Sequence, residues 1–346
     1  MKILFGIQTE GSGHITQAIA IKQILNDNGY EVFCAMSGKK RKGFSNYFLN
    51  SFNIKTHDGF DFVFDKNGSM NIFRTVFKNV LKFPKLVMSF INICLFIKRE
   101  KPNVIFNYYE PMIGLSAIFF PSIKYISFGH QYAMTSHFYP RVRGYYFQKL
   151  FLRILNYITS IRAKKVAMSY YEFSDENIDI LPPILRKESY DLDGNKNEGF
   201  ILVYLINQEL IPQLISECKK HPNLKVECFV KLKNNFKNLP ENLKINDLCG
   251  ESFQKKMKIC KAVVCSGGFE TTSEAIYQNK PVLMIPIKNH FEQNSNSLDA
   301  YVHNFAVYSN IIDLSKIPNY QSGNKIWFDT YKEKLKNIFE LYNIYI

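Results

Sequence analysis

The chain has 346 residues, which predicts about two domains with a sizeable buried core. Its net charge of +14 lies in the first half, where residues 1–165 carry 23 Lys and Arg against eight Asp and Glu. Seven cysteines without a C-x-x-C pair are typical of reduced thiols in the cytoplasm and argue against a disulfide framework. The longest apolar run, Leu86 to Ile97, is too short to span a bilayer, and we expect no signal peptide.

The N-terminal residues alternate between strand and helix patterns. Lys2 to Thr9 is predicted to be a strand, and Gly11 to His14 a glycine turn. An apolar stripe from Ile15 to Leu25 then predicts a helix, which ends at Asn28 and Gly29. Because Thr16 stands where a G-x-G-x-x-G fingerprint has its third glycine, a dinucleotide-binding turn is not indicated.

Two further apolar strands end in polar residues. Glu110 follows the first of them, and His130 and Gln131 follow the second. Open α/β sheets bind ligands at the carboxyl ends of their strands, so we expect these residues on the same edge as His14. Three interpretations of Glu110 remain: it orients the imidazole of His14, it contacts the acceptor, or it only begins a helix beside Pro111.

Two stretches concentrate the positive charge. Residues 66–99 contain seven basic side chains and residues 111–171 contain eight, and neither stretch contains an acid. The basic residues alternate with large apolar ones, which is typical of helices that dock on an anionic membrane surface. A lysine-rich solvated surface is the alternative. Nucleic acid is also attracted to such patches, but no recognised binding motif accompanies them, so we expect no nucleic-acid partner.

The stretch from Cys265 to Ser297 is the most informative part of the chain. It reads as a buried strand, the glycine pair Gly267-Gly268, a helix, a second strand and a polar loop with Glu292 and Gln293. A glycine pair before a helix exposes backbone N–H groups and a positive dipole end, which favour phosphate. Glu274, one turn into the helix, offers acceptors to a ribose diol. Together with a hexose at Glu292 and Gln293, these features indicate a nucleotide-sugar site.

This stretch resembles the donor-binding signature of GT-B glycosyltransferases, above all the MurG-like and plant UDP-glycosyltransferase groups. Residues 268–274, Gly-Phe-Glu-Thr-Thr-Ser-Glu, run parallel to Gly-Trp-Asn-Ser-Thr-Leu-Glu of the plant signature. Glu292-Gln293, with Asn296 three residues later, lies where those enzymes have Asp-Gln and a later Asn. An ordinary Rossmann-like unit with a tight glycine turn is the alternative.

The resemblance assigns roles to the donor-site residues. It implies that Glu274 holds the ribose hydroxyls, that Ser266 to Gly268 hold the diphosphate, and that Glu292 and Gln293 bind the donor sugar. Ser266 departs from the pattern, because the plant signature has histidine there and MurG has arginine. Another phosphate donor must compensate, and the candidates are Thr271 and Thr272.

The glycine turn that ends in Gly13-His14 also resembles the N-terminal motif of these families, and His14 is therefore the expected general base. An unperturbed imidazole titrates near pH ~6.5, which suits this role; the alternative is a histidine in a polar first turn. Residues 129–131, Gly-His-Gln, resemble an element of MurG-like enzymes. His130 either contacts the acceptor or the departing diphosphate, or is an ordinary loop histidine.

The expected architecture is α/β: a GT-B fold in which two Rossmann-like parallel-sheet domains face a central cleft. We expect four segments: an acceptor-binding domain (1–170), an irregular linker (171–190), a nucleotide-sugar domain (191–328) and a C-terminal helix that crosses back to the first domain (329–346).

We therefore hypothesise that the protein is an inverting glycosyltransferase at the inner face of the plasma membrane. It would move a hexose or N-acetylhexosamine from a UDP-sugar to a hydroxyl of a lipid, lipid-linked or glycan acceptor. No metal or other cofactor is expected to be required, because N–H groups and a helix dipole meet the leaving diphosphate. The sugar, the acceptor and the oligomeric state stay open.

Two alternatives share the fold. One is a non-hydrolysing UDP-sugar 2-epimerase, although such enzymes usually have Asp where this chain has Cys265. The other is a non-catalytic, membrane-associated subunit.

Overall fold

The structure is a computed structural model that describes residues 1–10, 13–38, 46–65, 68–190, 197–232, 236, 238–320 and 323–345. Gly11 and Ser12 of the predicted glycine turn lie outside the described residues, as does Lys66 at the start of the first basic stretch.

The first domain is built on a seven-stranded parallel sheet with strand order β3-β2-β1-β4-β5-β6-β7. Its strands are β1 (Ile3–Ile7), β2 (Val32–Gly38), β3 (Ile54–His57), β4 (Val104–Tyr108), β5 (Lys124–Phe128), β6 (Lys164–Met168) and β7 (Asp179–Leu181). β1 and β4 are buried along their whole length, as expected for central strands covered on both faces.

Helices connect these strands and cover the sheet. They are α1 (Gly13–Asp27), α2 (Asn46–Ser51), α3 (Ile72–Leu81), α4 (Phe83–Glu100), α5 (Pro111–Ala117) and α6 (Tyr146–Ser160). A short 3-10 helix, His130–Thr135, follows β5 directly and carries two of the expected site residues to the edge of the sheet.

The second domain has a six-stranded parallel sheet with strand order β10-β9-β8-β11-β12-β13. Its strands are β8 (Ile201–Leu205), β9 (Val226–Val230), β10 (Leu243–Asp247), β11 (Ala262–Cys265), β12 (Val282–Met284) and β13 (Val307–Tyr308). The remaining helices are α7 (Lys187–Tyr190), α8 (Ile211–Lys220), α9 (Gly250–Ile259), α10 (Phe269–Tyr277), α11 (Phe291–Val302), α12 (Lys325–Asp329) and α13 (Tyr331–Glu340).

The C-terminal helices lie on the first domain. The ring of Phe339 in α13 stacks on Phe106 of β4, with ring centroids 5.2 Å apart. Trp327 in α12 donates its indole N–H to the carbonyl oxygen of Ser169, 2.9 Å away. The aromatic contact buries apolar area and the hydrogen bond satisfies a buried donor, so the end of the chain is anchored to the domain where the chain began.

Two expectations about local structure are wrong. The segment 171–190 is not wholly irregular, because Asp179–Leu181 pairs with β6 as the last strand of the first sheet. Glu292 and Gln293 do not lie in a loop, because they stand in the first turn of α11. That helix begins where His290 accepts a hydrogen bond at Nδ1 from the backbone N–H of Gln293, 3.3 Å away.

Candidate functional site

The carboxyl ends of both sheets face one cavity of about 510 Å³ between the domains. From the first domain it is lined by Gly13, His14, Gln17, Tyr109, His130 and Gln131, among others. The second domain contributes Gly267, Gly268, Phe269, Glu270, Thr271, Glu292, Gln293 and Asn296. Most of the expected site residues are thus brought together, although Ser266, Thr272, Glu274 and Glu110 are not part of this lining.

The glycine loop is shaped by a close approach of two helices. Gly267 has φ 44°, and a Cβ added there would lie 2.9 Å from both Cβ and the carbonyl oxygen of Gln293. Only glycine fits, because any side chain would collide with α11. Gly268 is the N-cap of α10 and gives its first N–H groups no side-chain hydrogen bond, and residues 268–271 line the cavity. N–H groups at such a helix N-terminus favour an anion.

The hydroxyl groups around this loop are used in different ways. Ser266 accepts a hydrogen bond from the backbone N–H of Ile206, 3.4 Å away, and Thr272 donates to the carbonyl oxygen of Gly268, 2.8 Å away. Both side chains are buried. Of the two threonines proposed to compensate for Ser266, Thr271 lines the cavity and Thr272 stabilises the helix turn.

Glu274 anchors the second domain to the end of the linker. Its Oε1 lies 3.1 Å from Nε of Arg186 and accepts a hydrogen bond from Ser189, and its Oε2 accepts one from Gln254 at 2.7 Å. Both oxygens are therefore engaged inside the protein, and the ribose contact stays a prediction. Sequence reasoning missed Arg186, whose only signal was a cation directly after the Pro-Pro linker.

Glu292 links the two domains. Its Oε1 lies 3.0 Å from Nε2 of His130 and 3.3 Å from Nε2 of Gln131. Burial alone would raise the pKa of Glu292, but His130, His290 and His14 together lower it to about 2. The carboxylate is therefore ionised at neutral pH. The His130 ring also stacks on Phe269, with centroids 4.6 Å apart, so His130 contacts the second domain at both Glu292 and Phe269.

His14 is buried at the start of α1 and lines the cavity. Its Nε2 lies 3.4 Å from Nε2 of Gln131, and its ring stacks on Tyr109 with centroids 5.4 Å apart. Burial first, and then the neighbouring His130, lower the pKa of His14 to about 4, against the attraction of Glu292. The pKa of His14 thus lies below the unperturbed value of 6.5, chiefly because the ring is desolvated. His14 is neutral at pH 7.

None of the contacts among the described residues joins Glu110 to His14. Its Oε2 accepts a hydrogen bond from the backbone N–H of Ile113, 2.8 Å away, and so caps α5, while its Oε1 lies 3.7 Å from Nε2 of His57. The structure therefore places Glu110 at a helix start. The preceding residue, Tyr109, stacks on His14, and sequence reasoning missed this contact.

Glu270 is a second residue that sequence reasoning missed. It stands in the first turn of α10, and its Oε1 accepts a hydrogen bond from Nε2 of Gln17 across the cavity. Burial raises the pKa of Glu270 to about 8, and the charge of Glu274 adds to the effect. A carboxyl group held neutral at the helix N-terminus can donate a hydrogen bond, which a carboxylate cannot.

Among the residues that the structure describes, no group of three or more His, Cys, Asp or Glu side chains is arranged to hold a metal ion.

The fold and the cavity define a class of protein, and solved structures of glycosyltransferases superpose on this chain. The glycotransferase of kitacinnamycin superposes with a TM-score of 0.60 at 10% identity, over 99% of this chain and 94% of that one. MurG from Acinetobacter baumannii gives 0.56 at 14% identity, over 97% and 91%. The spinosyn rhamnosyltransferase SpnG, complexed with thymidine diphosphate, gives 0.58 at 11% identity, over 97% and 92%. The expected GT-B fold is confirmed.

The family follows from the sequence match. The model of glycosyl transferase family 1 matches residues 1–321, and the chain belongs to this family. It is therefore a glycosyltransferase. No curated protein matches the chain.

The position of Glu110 generates a prediction about stability. Burial raises its pKa in the folded protein to about 8 from the ordinary 4.5 of a glutamate. Between these values the folded state keeps a proton that the unfolded chain has lost, so this group lowers the free energy of unfolding as pH rises. Glu110→Gln keeps an acceptor for the Ile113 N–H and lacks the titration. Relative to the wild type, its free energy of unfolding should rise by about 3 kcal/mol between about pH 5 and pH 8.

Urea unfolding at the two pH values measures this difference. Glu333→Gln, at an exposed position of α13, is the matched control. Parallel pH dependence of wild type and Glu110→Gln would show that Glu110 does not hold its proton in the folded state.

Proposed function

We propose that the protein is an inverting glycosyltransferase that moves a hexose or N-acetylhexosamine from a UDP-sugar to an acceptor hydroxyl at a membrane surface. One observation carries the proposal: a neutral histidine and an uncapped helix N-terminus face the same cavity from opposite domains. The first is a proton acceptor, and the second is an anion site.

The donor diphosphate would lie at the N-terminus of α10. Gly267 and Gly268 allow it to approach the backbone, and Thr271 supplies a hydroxyl on the same wall. Thymidine diphosphate in the SpnG structure, and dTDP in that of VinC, support a nucleoside diphosphate here. The donor sugar would lie towards Glu292 and Gln293, in the first turn of α11.

The chemistry is a single displacement. The acceptor hydroxyl gives its proton to His14 while its oxygen forms a bond to the anomeric carbon. The bond from that carbon to the diphosphate breaks, and its electron pair leaves with UDP. The N–H groups and the dipole of α10 stabilise the charge that develops on the diphosphate. Attack from the opposite face inverts the anomeric configuration.

The low pKa of His14 is compatible with this role. In the unliganded protein it is about 4, because the ring is buried beside His130. A bound diphosphate brings negative charge to the cavity, which favours the imidazolium and raises this pKa. We therefore expect His14 to become a stronger base when the donor is present, which couples proton removal to occupancy of the donor site.

A surface of the first domain supports membrane docking. The docking face consists of the exposed apolar residues Phe73, Phe77 and Leu81 of α3 and Tyr146 and Phe147 of α6, with Arg74, Lys85 and Arg153 around them. Phe73 and Phe147 join the two helices, with ring centroids 5.6 Å apart. Exposed aromatic rings among cations are suited to an anionic interface. We place the enzyme at the inner face of the plasma membrane.

Among the described residues, no single helix is long and apolar enough to cross a bilayer, whereas α3 and α4 taken together are, by length and composition, with a bend of 72° between them.

The donor site can be tested with Gly267→Ala. A Cβ at this position collides with α11 and shifts the loop that would hold the diphosphate, so UDP binding should weaken at least tenfold. A thermal-shift panel of UDP, dTDP and their sugars measures the effect, because a ligand at 100 times its Kd adds about 2.7 kcal/mol of stability. Gly199→Ala is the matched control, since Gly199 also has a positive φ, of 77°, but no neighbour within 4 Å. Equal shifts in both variants would place the donor elsewhere.

The base can be tested with His14→Ala. Loss of a positioned general base should lower kcat by about 10²–10⁴-fold and leave the Kd for UDP near that of the wild type. UDP release from the donor that the panel selects, with octyl glucoside as acceptor, measures kcat, and calorimetry measures Kd. His137→Ala, at an exposed histidine, is the control. Unchanged turnover in His14→Ala refutes the assignment, and an epimerised donor in the absence of acceptor would favour the epimerase.

The docking face can be tested with Phe77→Asp. Phe77 is 66% exposed, so the substitution should not disturb folding, yet it places a charge where a ring would enter the interface. Co-sedimentation with vesicles that contain phosphatidylglycerol should fall at least tenfold, since one buried Phe contributes about 1.5–3 kcal/mol. Ile326→Asp, at a residue of α12 that is 87% exposed, should bind as the wild type does. Equal binding by both variants would exclude this face.

A further inference from the structure

The first domain has a second cavity, an apolar groove of about 540 Å³ between α3, α4, α5 and α6. Nearly all of its lining side chains are hydrocarbon. They include Phe60, Phe62, Val76, Val80, Phe83, Leu86, Val87, Phe90, Met112, Leu115, Ile118, Phe119, Phe151, Ile154, Leu155 and Ile158.

The two polar side chains of the groove, Thr75 and Asn79, are already engaged. The hydroxyl of Thr75 accepts a hydrogen bond from the backbone N–H of Val63, 2.9 Å away. Asn79 accepts one from the N–H of Asp61 and donates to the carbonyl oxygens of Asp61 and Thr75. The groove therefore offers little to a polar occupant, because a buried polar group without a partner is costly.

The groove borders the proposed catalytic cavity. Phe62, Phe151 and Leu155 line both spaces, so the two are separated by no more than shared side chains. An occupant that passes these three residues reaches the cavity that holds His14.

The opposite rim of the groove opens towards the docking face. Val80 and Phe83 are each 64% exposed, and they continue the apolar surface of α3 into the groove. The cations of the docking face stand on helices that line the groove: Arg74 on α3, Lys85 on α4 and Arg153 on α6. An anionic membrane surface at this rim would match the cations, and a hydrocarbon chain that leaves the membrane would match the groove.

We propose that this groove binds the hydrocarbon chain of a lipid acceptor, whose hydroxylated head group then lies in the cavity beside His14. The inference rests on the proposed function, because it names the acceptor class of that site. The cavity volume is typical of a small-molecule site. A peptide would bring backbone amides into a space without partners for them, whereas an alkyl chain needs none.

Binding of alkyl β-glucosides from butyl to decyl, below their micellar concentrations, tests the groove without a membrane. Calorimetry on the UDP-saturated enzyme gives Kd for each chain length. Each methylene that enters the groove should tighten binding roughly fourfold, so that the series spans two orders of magnitude or more. Turnover with the same compounds should follow this trend in KM, with kcat nearly constant.

Two exposed residues provide a matched pair of variants. Val80→Asp puts a charge on the groove lining, and Leu95→Asp puts one on α4 outside it, at a residue that is 59% exposed. We expect Val80→Asp to lose the dependence of Kd on chain length and Leu95→Asp to retain it. Equal behaviour of the two variants, or chain-length independence in the wild type, overturns the proposal.

These measurements distinguish a failure of the lipid-acceptor proposal from a failure of the proposed function. UDP binding and the slow release of UDP from the donor by water do not depend on the groove. If both persist while chain length has no effect, the glycosyltransferase assignment stands and the lipid acceptor is wrong. If neither is seen with any nucleotide sugar, the proposed function fails first.

Discussion

The contact between Gly267 and α11 is the constraint on which the site depends. Because Gly267 has no side chain, α11 approaches the loop closely enough for Asn296 to donate a hydrogen bond to the Gly267 carbonyl oxygen, 3.1 Å away. The N-termini of α10 and α11 consequently converge on the same cavity. Two positive dipole ends favour negative charge there, whereas the ionised state of Glu292 in the first turn of α11 is due to His130, His290 and His14.

The cavity holds buried polar groups whose charge states depend on one another. His14 is neutral because of burial and the neighbouring His130, and Glu270 keeps its proton near neutral pH because of burial and the charge of Glu274. Glu292 is ionised against the effect of burial, because His130 and His14 of the other domain and His290 of its own lower its pKa. The pKa of Glu292 therefore depends on how the two domains face each other. Any movement that separates His130 from Glu292 changes the charge balance at His14, so domain closure and protonation are physically linked.

The sequence predicted the fold because parallel sheets leave a local pattern: buried strands, glycine turns and helix stripes recur along the chain. It also predicted which loops reach the cavity, since strand ends share an edge. It did not predict Glu274 with Arg186, because residues 88 apart meet only through tertiary packing. The low pKa of His14 was missed for the same reason, since it results from burial of the ring in the folded protein and from His130, which comes from elsewhere in the chain. The strand β7 has three residues in a proline-rich segment and gives almost no periodic signal.

The uneven charge of the chain acquires a structural explanation from the helices of the first domain. The second domain is the proposed site of the donor diphosphate, yet it carries no excess of basic residues, since 21 Lys and Arg stand against 22 Asp and Glu after residue 165. In the proposed site, backbone N–H groups at α10 take the place of side-chain cations. Part of the excess charge stands instead on α3, α4 and α6, which carry seven Lys and Arg against one Glu, expose apolar side chains and border the groove. Basic residues that serve a diphosphate would cluster at the cavity. Their position around an apolar surface fits an anionic interface better, and it places the proposed acceptor side of the enzyme against a membrane.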